Sequence, residues 1–176
     1  QRLNDAKSRL GFQPNKTLKK EHTMIYLDNN ATTKVDEKVL EEMLPYLQNE
    51  YANPSSMYDF AKKPAAAIKE ARAKVREFLG ANNEKEIIFT SCGSESANTA
   101  IKGVVSCNKE KRHLITTKVE HPCVLNTYKA LEKQGYEVDY IGVNSHGELD
   151  IEELKSKIRK DTALVSVMYA NNETGV

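Results

Sequence analysis

Three short polar strings carry the residue types from which a ligand site can be built. The first is Thr90-Ser91-Cys92-Gly93-Ser94-Glu95-Ser96, between an apolar run and a helical pattern. Gly93 lets the backbone approach a ligand closely, and the helix start beyond it offers unpaired N–H groups to an anion. Ser94 and Ser96 add hydroxyl donors. No lysine follows the glycine, so the nucleotide P-loop pattern is absent, and an ordinary capped helix start reads the same way. The second string is Glu120-His121-Pro122. Pro122 suits the first position of a helix and holds His121 extended. A histidine there can stack on a flat ring or move protons near neutral pH, or it can simply cap the helix. The third is Asn171-Asn172-Glu173-Thr174-Gly175, whose amides suit a ring hydroxyl or a carboxylate. It is equally the composition of an Asx turn closed by Gly175.

The elements that must position these strings follow from periodicity. The spacing predicts a helix over 37–51, capped by Asp36 and containing Pro45, and a second over 61–79 with Ile68, Ala71, Val75 and Leu79 on one stripe. Strands are expected at 87–89, 113–117, 136–143 and 163–169, and helices at 95–106, 122–134 and 150–160. Asp150 and Glu153 have capping-box spacing. Strand and helix alternate with short links, which predicts an α/β layered, mostly parallel sheet with ligands gathered where strands end. All three polar strings fall just past an expected strand.

Composition narrows the function classes. Residues 1–23 carry a net charge of +4 and the remainder −3, so the positive charge sits on a polar leader rather than on the part expected to fold. That argues against direct nucleic-acid binding. No apolar run is long enough to span a bilayer, and Gln1–Leu10 lacks the apolar stretch of a secretory signal, so a cytoplasmic location and no membrane partner are expected. The three cysteines, Cys92, Cys107 and Cys123, have no zinc-ligand spacing and form no even disulfide set; reduced thiols and no metal site are expected. Residues 1–23 read as a non-native or disordered leader, with Lys19-Lys20-Glu21 compatible with a translated ribosome-binding sequence ahead of Met24. Residues 24–176 read as the folded part, and the end at Val176, directly after a strand, reads as a truncation.

With these strings in view, a resemblance becomes specific. LDNNATT (27–33), NPSSM (53–57), IIFTSCGSES (87–96), VEHP (119–122), VLNTYKALEKQGYEV (124–138), SHGELD (145–150) and ALVSVMYANNETGV (163–176) occur in order, and together they resemble the cysteine desulfurases of the nitrogenase and iron–sulfur cluster type, within the class V aminotransferases. The resemblance covers Met24 to Val176. It implies the large domain of a fold-type-I pyridoxal-5'-phosphate enzyme, α/β/α layered and here incomplete, with residues 24–38 partly in a smaller domain of a homodimeric parent. It further implies that Gly93 and Ser94 hold the cofactor phosphate, that His121 stacks on the ring and transfers protons, and that Asn172 bonds the ring oxygen. The implied reaction converts L-cysteine to L-alanine and leaves sulfur as an enzyme persulfide for an iron–sulfur scaffold or another acceptor protein. A related lyase acting on selenocysteine, or an inactive fragment, is the alternative. Relative to the family pattern, Cys92 replaces a small residue, Ser94 replaces threonine and Tyr58 replaces histidine. The family's Schiff-base lysine and persulfide cysteine both lie beyond Val176.

Overall fold

A computed structural model of the chain describes residues 25–176; the expectations for residues 1–23 lie outside the described residues. Residues 25–34 fall in one unit and Val35–Val176 in another. In the first, the N–H groups of Ala31 and Thr32 both donate to the Asp28 carbonyl, at 3.1 and 3.4 Å. This is the tight turn that an Asp-Asn-Asn run favours.

The second unit opens with helix α1, Glu37–Gln48. Asp36 caps it, its carboxylate accepting the Lys38 N–H at 2.9 Å. The helix stops three residues short of the expected end because Asn49 and Glu50 both donate to the Pro45 carbonyl, at 2.9 Å each, and turn the chain away. Helix α2, Lys62–Leu79, ends at Gly80, whose φ of 66° is the left-handed conformation a helix stop requires. The expected stripe is apolar but not buried: Ile68 is 39 % exposed and Leu79 65 %. Periodicity identifies the apolar face of a helix, not whether something covers it.

Residues 87–89 correct the sequence reading. They are extended but form no strand, and Ile88 and Phe89 are exposed. A strand needs a ladder partner, and among the described residues this segment has none. It is held instead by Arg72 of α2, whose Nε donates to the Ile87 carbonyl at 3.4 Å and whose guanidinium lies 5.1 Å over the Phe89 ring.

Three strands follow, β1 (His113–Thr117), β2 (Glu137–Ile141) and β3 (Thr162–Val165), all parallel and ordered β2-β1-β3. Helix α3 (Gly93–Cys107) precedes β1, α4 (Pro122–Glu132) joins β1 to β2, and α5 (Ile151–Lys157) joins β2 to β3. The architecture is therefore α/β with a parallel sheet. Strand β1 is buried along its whole length because it has a neighbour on both sides. Strand β3 is shorter than expected, although Ser166 still donates to the Ile115 carbonyl at 2.9 Å.

The core joins α3, β1 and α4 through Ile101, Val105, Leu114, Val124, Tyr128 and Leu131. Tyr128 is fully buried; its hydroxyl donates to the Ile115 carbonyl at 3.3 Å, and burial pushes its pKa up to about 12. At the opposite end of β1, buried His113 bridges the sheet, with Nδ1 2.8 Å from Thr162 Oγ1 and Nε2 3.2 Å from the Asp139 carboxylate.

Connectivity fixes where the polar strings go. Helix α3 leads into the start of β1, so its own beginning lies at the carboxyl edge of the sheet. Helix α4 starts at that same edge, directly after β1, and residues 171–176 follow β3 there. This is where ligands bind in open α/β sheets.

Candidate active site at the carboxyl edge of the sheet

At the start of α3, Cys92 is the cap residue and Gly93 the first helical residue. The first intrahelical bond runs from the Ser96 N–H to the Cys92 carbonyl at 3.1 Å, so the N–H groups of Gly93, Ser94 and Glu95 have no helical acceptor. A Cβ built on Gly93 would meet no atom of the described residues within 4 Å. The turn is stiffened from behind: Glu95 accepts the Ser91 N–H at 2.6 Å and its hydroxyl at 2.7 Å, while Thr90 and Ser96 hydroxyls lie 2.5 Å apart. These bonds hold the Glu95 carboxyl below the ordinary range. The exposed Cys92 thiol is also held below its ordinary value, by the Glu95 N–H first, then the Ser91 hydroxyl and the Ser94 N–H. The arrangement favours negative charge at this turn.

His121 caps α4: its Nδ1 accepts the Cys123 N–H at 3.1 Å. Capping and ligand contact are the two readings the sequence allows for this residue. They are compatible, because capping occupies Nδ1 alone and the side chain is exposed. The Cys123 Sγ lies 3.0 Å from the same nitrogen.

The paired asparagines divide the two readings of their string. Asn171 makes the turn: its Oδ1 accepts the N–H groups of Glu173 and Thr174 at 2.9 and 3.0 Å, and its Nδ2 donates to the Val119 carbonyl at 3.0 Å. Gly175, at φ 78°, closes it, donating to the Asn171 carbonyl at 2.8 Å. Asn172 is exposed, and among the described residues its amide donates only to the neighbouring Glu173 carboxylate, at 3.1 Å.

Two positioning residues were missed from sequence, Asn171 in this role and Glu120. The Glu120 carboxylate is 6 % exposed and accepts the Met168 N–H at 2.6 Å and the Thr117 hydroxyl at 3.2 Å. It thereby ties the end of β1 to the segment after β3. A carboxylate three residues past the His-Leu-Ile-Thr-Thr strand was the available signal. Across the helices, the Thr127 hydroxyl donates to Asn98 Oδ1 at 2.9 Å, locking α3 to α4. A cavity of about 280 Å³ opens at the same edge, lined by Val119, Asn144, His146, Asn171 and Thr174; Gly93, Ser94, His121 and Asn172 do not line it.

Residues 25–176 match the family model for aminotransferase class-V. A cysteine desulfurase of Nostoc sp. is 56 % identical over 153 residues, which are 87 % of this chain and 38 % of that protein. Among solved structures, a NifS-like protein superposes with a TM-score of 0.81 at 44 % identity, covering 85 % of this chain and 41 % of its own. SspA, solved in complex with cysteine, gives 0.79 at 41 %, covering 85 % and 43 %. The chain thus spans about 38 % of the length of the curated relative it matches. The family match takes in both α3 and the 171–176 turn, and the fold agrees with it at high similarity: this chain belongs to the class-V aminotransferases.

Proposed function

We propose that this chain is the amino-terminal portion of a pyridoxal-phosphate-dependent cysteine desulfurase. The observation that carries the reading is the 56 % identity to a cysteine desulfurase over 153 residues of this chain. The residues present fit the cofactor. An anion-ready helix start with open space at Gly93 suits its phosphate. A histidine whose exposed ring is anchored by one nitrogen suits stacking, and an amide held by its neighbour alone suits the ring oxygen.

On this reading Gly93 and Ser94 bind the phosphate through N–H and hydroxyl groups, Asn172 orients the ring, and His121 stacks on it and holds or moves a proton at Nε2. The bound cofactor supplies an electron sink for chemistry at the amino acid. The overall reaction takes L-cysteine and an acceptor thiol to L-alanine and a persulfide: one C–S bond breaks, one S–S bond forms, and a proton passes to carbon. Two class-level expectations accompany it. The parent is a cytoplasmic homodimer with residues 24–38 partly in a smaller domain, and it hands sulfur to an iron–sulfur scaffold or another acceptor. Among the described residues no helix is long and apolar enough to cross a membrane.

The test uses the full-length protein that contains these residues, assayed for alanine from L-cysteine with pyridoxal phosphate and a thiol reductant. His121→Ala is expected to lower turnover by about 10²-fold or more, the usual scale for an acid–base group. Turnover of selenocysteine with none of cysteine would replace the desulfurase reading with the lyase. Unchanged kinetics in His121→Ala would leave His121 as a cap only.

A further inference from the structure

Cys123 belongs to no role assigned so far, yet it approaches His121 twice. Its backbone N–H donates to Nδ1 at 3.1 Å, and its Sγ stands 3.0 Å from that same nitrogen. A ring nitrogen that accepts an N–H bond cannot carry a proton of its own, so the neutral imidazole must carry it on Nε2. A thiol is a weak donor, and with its S–H directed at the bare Nδ1 it favours the same tautomer. Both contacts come from one side, and His121 is kept extended by Pro122, with φ −57° and ψ 144°. The ring is therefore held by one edge, and the opposite edge presents Nε2–H.

We propose that Cys123 is a positioning residue for His121, its N–H and thiol together selecting the Nε2–H tautomer and fixing the ring's orientation. This deepens the desulfurase reading and rests on it for its purpose: a stacking histidine that exchanges protons must present one defined nitrogen to its ligand. The structural content, however, stands without any cofactor. The thiol is only partly exposed and its partner is a side chain of this same chain, so the arrangement exists before anything binds.

The experiment is long-range ¹H–¹⁵N correlation spectroscopy on the ¹⁵N-labelled whole chain, without cofactor. A pH of about 7.5 lies above the ordinary histidine value of about 6.5 and below the ordinary thiol value of about 8.5. The chain has four histidines, and the ring signals missing from a His121→Gln sample identify those of His121. The wild-type ring is expected to show an unprotonated Nδ1 and a protonated Nε2. Cys123→Ala, which keeps the backbone donor and loses the thiol, is expected to lower the Nε2–H to Nδ1–H ratio by about three-fold, on the scale of a weak hydrogen bond. Cys123→Ser restores a side-chain donor and should recover the ratio. A wild-type proton on Nδ1 would overturn the proposal whatever the variants do. So would an unchanged ratio in Cys123→Ala with a native amide spectrum, and if that variant does not fold, the wild-type tautomer and Cys123→Ser decide. Absent desulfurase activity in the parent would remove the purpose while leaving the tautomer result standing, so the two failures are separable.

Discussion

Cys92 caps helix α3 with its thiol exposed, and its neighbours bear on its chemistry. The N–H of Glu95, the Ser91 hydroxyl and the N–H of Ser94 all favour its thiolate, outweighing partial desolvation and the Glu95 charge. An acid whose pKa is lowered reaches its charged form at lower pH. Alkylation of Cys92 by iodoacetamide, followed peptide by peptide in the mass spectrometer, should therefore show a rate profile with its midpoint below that of free cysteine, about 8.5. A midpoint at or above that value would mean that these donors do not act on the thiol. How legible such residues are in sequence depends on what surrounds them. Gly93 and His121 stand out because each opens a helix directly after an extended run, and Pro122 marks the spot. Asn171 and Asn172 are the same residue type side by side, and no pattern says which amide turns inward. Cys123 reads from sequence only as a reduced thiol, because the contact that distinguishes it is a side-chain approach, invisible to spacing.

Among the elements, legibility follows burial and pairing. Strand β1 was bounded correctly because a central parallel strand is a continuous buried run. Residues 87–89 have the same apolar texture without a neighbour to pair with, and β3 loses its expected second half for a related reason, since pairing with β1 carries only as far as Val165. The Asp150 cap was readable directly, and its carboxylate accepts the Glu153 N–H at 2.8 Å. Glu120 links two elements far apart in sequence and could not be assigned from either alone. Replacing it with alanine leaves the Met168 N–H without its acceptor, which should cost about 1–3 kcal/mol of stability. Asn171→Ala removes the turn bonds and the tie to Val119 and should cost about 1–2 kcal/mol, whereas Asn172→Ala should stay within about 0.5 kcal/mol. Urea unfolding midpoints of the three variants measure these differences; equal losses at 171 and 172 would contradict the division of labour between them.

On the scale of the whole molecule, the strand order has a consequence in time. His113 of β1 pairs with Glu137 of β2 across a single intervening helix, but its partner on the other side is Thr162 of β3, reached only after β2 and a second helix. Closing the longer loop costs more chain entropy, and β3 is the shortest strand, with an irregular register at His113/Leu114. Assembly should accordingly be vectorial: β1, α4 and β2 close first, and β3 zips on last. The same order run backwards governs local opening, because the least anchored strand is released before the core. Amide hydrogen exchange under native conditions should show Leu164, Val165 and Ser166 losing protection faster than the amides of β1 and β2. Equal protection across all three strands would mean that they open as one unit. Because Glu120 and Asn171 fasten the segment after β3 to the end of β1, the strand that arrives last is also the one that brings Asn172 to the edge where His121 already waits. In a chain emerging amino-terminus first, the joining of these segments at the carboxyl edge would then be a single late event rather than a residue-by-residue one.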